Sequence, residues 1–411
     1  MQAQQSQLTL SKAIEVALKN NYDIAIARNE TEIVSLQNNW GNAGSLPTVQ
    51  AVAGDNVSST YPISNSDVIT TENSPLNSNQ FNAGVEFSWT FFDGGKMFVR
   101  KDILEKNYAL SELELQQKAL TLTFSVVAMY FDIIRQKQQL QSINEVINYN
   151  AERVSISNTS YNAGMSAKND YLQAQIDYNK SLENAHNQKV AIIAAKRNLK
   201  NLMGSIMTTD FDVADSISFD STLVIDDFRK KIASVNMDIR AGEKQLEITQ
   251  LAYKEARSQY FPTLSVNGGY YVNNSTIASA SNTTHGPQLS GKLIIPLYQA
   301  GQNKQTVNIA KIEALSAQHQ LEQTRLQVLE DLEQTFLEYE NYKKLYEIEV
   351  ENYKLALENL EINTARFRLG HSTSLEVHIA QEVYIQSATR MVDFAYALKM
   401  SETKLKQLVA Q

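Results

Sequence analysis

The stretch that decides the fold is LEDLEQTFLEYENYKKLYEIEVENYKLALENLEINTARFRLG, residues 329–370. Apolar or aromatic residues recur along it at alternating steps of three and four, with one slip: Leu329, Leu332, Phe336, Tyr339, Tyr342, Tyr346, Val350, Tyr353, Leu357, Leu360 and Phe367. Thr364 is the one polar member. A mean spacing of about 3.5 residues is typical of helices that supercoil left-handedly against partners. A second, weaker stripe lies on a neighbouring face: Leu345, Ile348, Leu355, Ile362 and Leu369. We therefore predict a long helix that contacts other helices on two sides, as in a ring of helices.

A second decisive stretch is FNAGVEFSWTF, residues 81–91. Apolar residues alternate strictly with polar or small ones, which is the period-two pattern of a β-strand. One face of the predicted strand is apolar and aromatic, and the other is polar. Such a strand suits either a half-buried sheet in a soluble domain or a barrel strand with lipid on one side and water on the other.

The chain repeats itself. At a shift of 215 positions Asn21 falls on Asn236, and from Thr90 onward a shift of 206 places Gly164 on Gly370. The nine-residue difference lies in the loop between the two strands of each copy. Each copy has the pattern helix, strand, loop, strand, long helix, turn, helix. The pattern indicates a tandem duplication with four strands in the chain.

The repeat sets the predicted boundaries. The first structural repeat covers 1–204 and the second covers 223–411, with an acidic connector over 205–222 between them. The aspartates of the connector lack the spacing of a calcium loop, so we predict a solvated segment rather than a metal site. The predicted strands occupy about 46–60, 81–92, 263–274 and 287–298.

The composition excludes several classes of protein. The formal charge is −8 and no run of basic residues stands out, so nucleic acid is not an expected partner. The absence of cysteine excludes disulfides, thiolate metal sites, cysteine nucleophiles and lipid attachment through cysteine.

No apolar run approaches the roughly 18 residues of a membrane-spanning helix. The start, MQAQQSQLTL, lacks a signal peptide. We expect a native signal to have been removed, although a cytoplasmic protein would begin in the same way.

Four amphipathic strands are too few to close a barrel. Membrane barrels need at least about eight strands, and an open edge leaves backbone groups unpaired in lipid. Closure therefore requires several copies of the chain. A predicted helix from about Met97 to Tyr161 would be roughly 100 Å long, whereas the core of a bilayer is about 30 Å thick. The pattern predicts a short barrel in the membrane and a long helical tube in water.

Five features together resemble the TolC-type outer membrane efflux protein family: LTLSKAIEVALKNNYDIAIARNE, the paired PT strand starts, FFDGGK, YNAGMSAKNDYLQAQ and FRLGHSTSLEVHIAQ. The resemblance covers nearly the whole chain, in both repeats and in the right order. The resemblance implies a mixed α and β membrane protein. It would be a homotrimer with a twelve-stranded β-barrel, four strands from each chain, continued by a long α-helical coiled-coil tunnel in the periplasm. The 205–222 connector would join an equatorial collar.

The resemblance also implies a location and a role. The protein would lie in the outer membrane of a Gram-negative bacterium and extend into the periplasm. It would be the exit duct of a tripartite efflux or type I secretion system and conduct substrates passively. Its expected partners are a periplasmic adaptor (membrane fusion) protein, an inner-membrane transporter and outer membrane lipid.

We expect no enzymatic activity, no cofactor and no metal. The sequence contains no HExxH motif, P-loop or nucleophile elbow. His371 and His378 lie seven residues apart on a polar stretch and would allow a metal relay. Solvated or helix-packing histidine is the commoner explanation.

The two hairpin turns carry the predicted site. Gly164 and Gly370 end long helices, where a glycine with positive φ commonly caps the helix. By resemblance, the same turns are the periplasmic tips that bind adaptor hairpins. Nearby hydroxyl groups would hydrogen-bond to those hairpins: Ser166, Ser372 and Thr373. Arg366 and Arg368 flank the second turn and either pair with acidic groups on the adaptor or a neighbouring helix, or remain solvated.

Two acidic residues mark the predicted entrance aperture. Asp170 and Glu376 occupy equivalent positions, six residues after the two glycines. By resemblance, Glu376 lies where an acidic ring narrows the closed entrance of the duct. The second acidic position of that ring is Ile379 here, which departs from the family pattern. Alternatively, TSLE, residues 373–376, is a capping box in which Glu376 bonds backbone N–H groups, and we favour that role for Glu376.

The outward face of the predicted barrel is a lipid-facing belt formed by Phe87, Trp89, Phe91, Leu293, Ile295 and Leu297. The heptads alone would also suit a water-soluble coiled-coil scaffold or adaptor of the cell envelope. The alternating strands with aromatic ends favour the membrane channel, because a soluble scaffold does not need a lipid-facing belt.

Overall fold

The computed structural model describes residues 6–61, 75–204, 211–277 and 280–410. It divides into two compact units. Unit 1 comprises Met1–Glu30, Glu112–Ala241 and Glu322–Gln411, and unit 2 comprises Thr31–Ser111 and Gly242–Leu321. Each unit therefore takes segments from both halves of the chain.

The helices and strands follow one another in two similar series. The first series is β1 (Ser6–Gln7), α1 (Leu10–Asn20), α2 (Tyr22–Gln37), β2 (Thr48–Thr60), β3 (Leu76–Asp93), α3 (Lys96–Asn162) and α4 (Lys168–Leu202). The second is β4 (Phe211–Asp212), α5 (Ile225–Val235), α6 (Met237–Ser258), β5 (Thr263–Ile277), β6 (Ala280–Ile294), α7 (Gln302–Arg368) and α8 (Ser374–Leu408). Helices α3 and α7 both have 67 residues, and α4 and α8 both have 35. This correspondence of order and length supports the predicted duplication.

Unit 2 contains a four-stranded antiparallel sheet in the order β2-β3-β5-β6. In the middle of the sheet Val85 lies between Ala51 of β2 and Tyr270 of β5. The register shifts once, between Thr90 and Phe92, as at a β-bulge. Strands β2 and β6 form the two edges of the sheet.

The two faces of this sheet differ in chemistry, because side chains alternate along each strand. One face carries apolar side chains from all four strands, many of them exposed: Val49, Ala51, Phe81, Val85, Phe91, Leu264, Tyr270, Val272, Leu289 and Leu293. The opposite face is polar. On it the Glu86 carboxylate accepts hydrogen bonds from Gln50 and from the Tyr271 hydroxyl, the latter at 3.2 Å. The sheet thus separates an apolar side from a hydrophilic side.

The observed strands differ from the predicted ones mainly at the ends. Strand β3 begins at Leu76 rather than at 81, and β6 covers Ala280–Ile294 rather than 287–298. Strand β6 ends just before Ile295 and Pro296, because a residue that precedes proline is restricted and proline itself has no N–H for the ladder. Ile295 and Leu297 therefore lie beyond the strand, which corrects their predicted place on it.

The core of unit 1 forms where α1, α2, α3 and α4 pack together around apolar side chains. Ala13 and Ala17 of α1 and Leu199 of α4 are fully buried, and a larger group comes from the middle of α3: Leu122, Val126, Val127, Tyr130, Phe131, Ile133 and Ile134. The Tyr130 hydroxyl donates a 2.9 Å hydrogen bond to the Leu8 carbonyl. Burying this much apolar surface is the main force that holds the unit together.

The predicted connector is only partly solvated. Residues 205–210 lie outside the described residues, but Phe211 and Val213 are buried in the core of unit 1. Strand β4 pairs in parallel with β1. The Lys137 ammonium of α3 donates to Asp212 at 3.0 Å and to Asp215 at 2.6 Å. The prediction of a fully solvated segment was wrong because alternate residues of the sequence FDV point into the core.

Helix α3 also corrects the prediction that no helix is long and apolar enough to cross a membrane. It contains an 18-residue window of mean hydropathy 1.2, of which 39 % is buried within the protein. A helix that is apolar on most sides suits either a membrane or a protein core. Here the apolar stretch from Leu122 to Ile134 supplies the core of unit 1.

The heptad stripe of α7 is buried in part. Leu332, Tyr339 and Leu360 are fully buried, whereas Leu329 is 43 % exposed. The second stripe remains largely uncovered within the chain, with four of its members 48–72 % exposed: Ile348, Leu355, Ile362 and Leu369. One of the two predicted helix contacts is thus made within the protein, and the other face is free for another chain.

Candidate functional site

The two hairpin turns share one backbone geometry. Gly164 and Gly370 both have φ of +73°, which confirms the predicted left-handed caps. In the first turn the Met165 N–H donates to the Ser160 carbonyl at 2.8 Å, and in the second the His371 N–H donates to the Arg366 carbonyl at 2.8 Å. Because a left-handed backbone strains residues that have a Cβ, both turns favour glycine.

The second turn is closed by a capping box. The Glu376 carboxylate accepts a 2.8 Å hydrogen bond from the Thr373 N–H, and the Glu376 N–H donates to the Thr373 hydroxyl at 3.2 Å. The Ser372 hydroxyl donates to the same carboxylate. Hydrogen bonds from Ser372 and Thr373 lower the pKa of Glu376. The predicted capping role of Glu376 is confirmed, and its place at an aperture stays a prediction.

The first turn has no such capping box. Ala167 precedes α4 at the equivalent position and offers no side chain to cap it. Asp170 lies exposed in the first turn of α4, where a carboxylate favours the helix dipole. The Ser166 hydroxyl is buried and has no hydrogen-bond partner within the described residues. The two tips are therefore alike in backbone but different in side-chain support.

The two arginines beside the second turn have partners within the chain. Arg368 forms an ion pair with Glu152 of α3, with Nη2 donating to Oε2 at 2.7 Å. That hydrogen bond lowers the pKa of Glu152 and raises the pKa of Arg368. The Arg366 guanidinium donates to the His371 carbonyl at 3.0 Å. Arg368 thus pairs with an acidic group of a neighbouring helix, which is one of the predicted alternatives, whereas Arg366 contacts the turn itself, which was not predicted.

A buried polar cluster beyond the tips does not follow from the sequence pattern. Arg153 of α3 is 1 % exposed and pairs with Asp177 of α4, and its Nη1 donates to the Gln381 Oε1 of α8 at 3.2 Å. Burial lowers the pKa of Arg153. Asp177 also lies 3.3 Å from the Nδ1 of His378. The spacing from the turn could have predicted the pair of Arg153 and Asp177. The two residues lie eleven positions before and thirteen positions after Gly164, so they meet across an antiparallel hairpin.

The histidines show no metal arrangement. His378 faces carboxylates, and His371 takes part in the second turn through its backbone. Within the described ranges no group of three or more His, Asp or Glu side chains is placed to hold a metal ion.

The predicted lipid-facing belt lies on the apolar face of the sheet where its residues belong to strands. Phe87, Trp89 and Phe91 alternate along β3, and Leu293 of β6 is 61 % exposed. The indole N–H of Trp89 donates to the Ser45 carbonyl at 2.9 Å. The Trp89 and Phe91 rings lie 3.9 Å apart between centroids. An aromatic group with one polar anchor is typical of a membrane interface.

A sheet with one apolar face and helices of 67 residues that end in glycine turns are the features expected of an outer membrane channel. The model of the family described as "Outer membrane efflux protein" matches residues 13–205 and 229–411. The chain belongs to the outer membrane efflux protein family.

Individual relatives are similar over most of their length. The chain is 21 % identical to the outer membrane protein TolC of Vibrio cholerae over 381 residues, which cover 89 % of this chain and 82 % of TolC. It is 21 % identical to the probable outer membrane lipoprotein SilC of Salmonella typhimurium over 424 residues, covering 96 % and 84 %. The structure of the Campylobacter jejuni CmeC outer membrane channel superposes with a TM-score of 0.79 at 17 % identity, covering 98 % of this chain and 85 % of CmeC.

Proposed function

We propose that three copies of this chain close a twelve-stranded barrel in the outer membrane of a Gram-negative bacterium. The homotrimer is the passive exit duct of a tripartite efflux or type I secretion system. Its helical tips bind a periplasmic adaptor fed by an inner-membrane transporter. The observation that carries the proposal is the pair of free sheet edges.

Strands β2 and β6 are long edges. They have 13 and 15 residues, and in the described part of the chain each pairs on one side only. Unpaired backbone groups are costly in lipid, and four strands cannot close on themselves. Pairing β6 of one chain with β2 of the next removes every edge, and three copies supply twelve strands.

The two faces of the sheet fit the two sides of such a barrel. The apolar face, with exposed side chains such as Val85 and Leu289, meets lipid. The polar face, with Glu86, Gln50 and Tyr271, lines a water-filled lumen. A polar lumen conducts hydrophilic cargo without any chemical step.

The long helices extend the duct into water. In α7 the exposed second stripe, including Leu355 and Ile362, would contact a neighbouring chain in the tube. At the tips, the exposed backbone of the Gly164 and Gly370 turns would receive adaptor hairpins, with Ser166, Ser372 and Thr373 as hydrogen-bonding groups. The intrachain partners of Arg366 and Arg368 suggest that these arginines support the second turn while the adaptor binds. Asp170 and Glu376 would line the entrance.

Single-channel recording in a planar bilayer tests this proposal. The purified protein should insert from detergent and conduct. Because the chain has no cysteine, one engineered cysteine in each tip turn allows a clean cross-link between chains. We expect the cross-link to lower conductance and its reduction to restore it, with each single-cysteine variant as control. A protein that stays soluble without detergent and never conducts would instead be the coiled-coil scaffold.

A further inference from the structure

His378 lies between two carboxylates near the second tip. Its Nδ1 is 3.3 Å from Oδ2 of Asp177 on α4, and its Nε2 is 3.5 Å from Oε1 of Glu382 on α8. Asp177 is 8 % exposed, and its other oxygen accepts a 2.9 Å hydrogen bond from Gln173. The histidine side chain itself is 32 % exposed, so protons can reach it from solvent.

The polar cluster around His378 lowers the stability of the fold. A buried charge must be desolvated, and buried polar atoms without partners add to that cost. Three such atoms lie here with no partner within the described residues: Asn150 Oδ1, Arg153 Nε and Gln381 Nε2. Asn150 and Gln381 also line a cavity of about 150 Å³ together with Asp177 and His378.

The repeat provides a second, equivalent set of positions on α7, α8 and α4, and that set lacks this cluster. At the shift of 206 positions the counterparts of its members are mostly uncharged or apolar: Ala356 for Asn150, Asn359 for Arg153, Val383 for Asp177 and Leu172 for His378. Ala356 instead packs in an apolar cluster with Leu360 and Tyr384. Because the helices pack without these charges at the repeat-related positions, the presence of the charges in the cluster calls for a reason other than the fold.

We infer that His378 is a proton-operated clasp between α4 and α8, which tightens when the imidazole gains a proton. A neutral imidazole has one nitrogen that donates and one that accepts. With a carboxylate oxygen facing each nitrogen, the neutral ring always presents one lone pair to a carboxylate. Only the imidazolium donates to both Asp177 and Glu382. Histidine is the side chain whose charge ordinarily changes between pH 5 and pH 8.

Other charges around the ring modify the clasp. Arg153 of α3 already pairs with Asp177, so Glu382 is needed to balance a second cation. Lys180 of α4 lines the same cavity but is exposed, so water screens its repulsion of the imidazolium. His378 is the fifth residue of α8, beyond the first turn in which the helix dipole disfavours a cation. The two carboxylates therefore dominate.

Hydrogen–deuterium exchange of the detergent-purified protein tests the clasp directly. Protection factors, corrected for intrinsic exchange, are measured at pH 7.5 and pH 5.5 for peptides covering 174–183 and 377–386. We expect about a two- to fivefold rise in protection at pH 5.5, the range of a partly exposed ion pair. The readout does not depend on conduction, so it stands apart from a failure of the proposed duct.

Three variants make the test specific, each checked first for unchanged particle mass. His378→Gln should show low protection at both pH values. His378→Lys, which stays charged, should show high protection at both. His371→Gln, a histidine of the tip turn outside the clasp, should keep the wild-type rise. A rise that survives in His378→Gln, a low value in His378→Lys at both pH values, or no rise in the wild type would overturn the inference.

Discussion

Asn21 and Asn236, 215 positions apart, make the same three hydrogen bonds. The Asn21 amide donates to the Leu202 carbonyl at 2.9 Å, and the Asn236 amide donates to the Leu408 carbonyl at 2.9 Å. The side-chain oxygen of each asparagine accepts from the second and third N–H groups that follow it. Each asparagine thus joins the break between two short helices to the end of a 35-residue helix.

Replacing either asparagine by alanine should destabilise the protein to a similar degree. The change leaves a helix-end carbonyl and two N–H groups without their partner, which costs about 1–3 kcal/mol. Thermal unfolding midpoints of Asn21→Ala and Asn236→Ala in detergent check this. Asn201→Ala, at the exposed end of α4, is the control and should change the midpoint little. Opposite outcomes for the two buried asparagines would show that the two junctions are not equivalent.

The apolar face of the sheet should tolerate no charge near its centre. Val85 and Asn82 lie close together on β3 but on opposite faces. A lysine on the lipid side of a barrel costs about 2–4 kcal/mol at the bilayer midplane, whereas a lysine in the lumen is tolerated. Val85→Lys should therefore reduce the fraction of protein recovered in outer membranes, and Asn82→Lys should not. Equal recovery of the two variants would contradict the assignment of the faces.

The predicted place of Glu376 at the entrance can be tested with variants that separate its negative charge from its role as a helix cap. Glutamine still completes a capping box, so Glu376→Gln removes only the negative charge, whereas Glu376→Ala removes both. If three carboxylates lie near an axis, Glu376→Gln and Asp170→Asn should lower the preference for cations, measured as a shift of reversal potential in a salt gradient. Unchanged selectivity in Glu376→Gln, together with a lower thermal midpoint in Glu376→Ala, would limit Glu376 to its cap.

Glu349 should make the helical part of the protein sensitive to acid. Its carboxylate is 5 % exposed and accepts hydrogen bonds from Arg390 at 2.9 Å and from Ser387. Burial raises the pKa of Glu349, but hydrogen bonds from Arg390, Ser387 and Asn352 outweigh it and lower the pKa below the ordinary value. Because the pKa is lowered in the folded state, the contribution of Glu349 to stability is complete above the ordinary pKa of about 4.3. This contribution is lost as the pH falls through the folded-state pKa.

Glu349→Gln should therefore cost about 1–2 kcal/mol at pH 7 and should show a smaller loss of stability than the wild type between pH 6 and pH 3. Thermal midpoints across that pH range measure both effects. Glu351→Gln is the matched control, because Glu351 is exposed and its ion pair with Lys354, at 3.6 Å, lies on the surface. An acid response in Glu349→Gln as steep as in the wild type would assign the sensitivity to other groups.

The sequence predicts the features that depend on local periodicity. The 3.5-residue spacing of residues 329–367 and the alternation of 81–91 are set by which side of an element is buried, so the long helices and the strand chemistry are visible in advance. The glycine caps and the TSLE capping box are equally local, because they join residues at most a few positions apart.

The features that escaped prediction join residues far apart in the chain. Arg153 donates a hydrogen bond to Gln381, which is 228 positions away in the sequence. Arg390, on another helix, balances the charge of Glu349 and donates a hydrogen bond to it. A buried charge looks like a surface charge in the sequence until its partner is known. The acidic composition of the connector predicts a solvated segment. It gives no sign that Phe211 and Val213 are buried. The sequence misplaces Ile295 on a strand because apolar residues continue to alternate past Pro296, whereas β6 ends at Ile294.

In the proposed assembly the free edges of β2 and β6 pair between chains and close one barrel. The most direct measurement is the native mass of the detergent-purified particle after removal of bound detergent. We expect a mass three times the 46.2 kDa of the chain, with no monomer at concentrations where the barrel is folded. A folded monomer would leave both edges of a four-stranded sheet open, and a folded dimer would supply eight strands rather than twelve. Either mass would rule out the trimeric barrel.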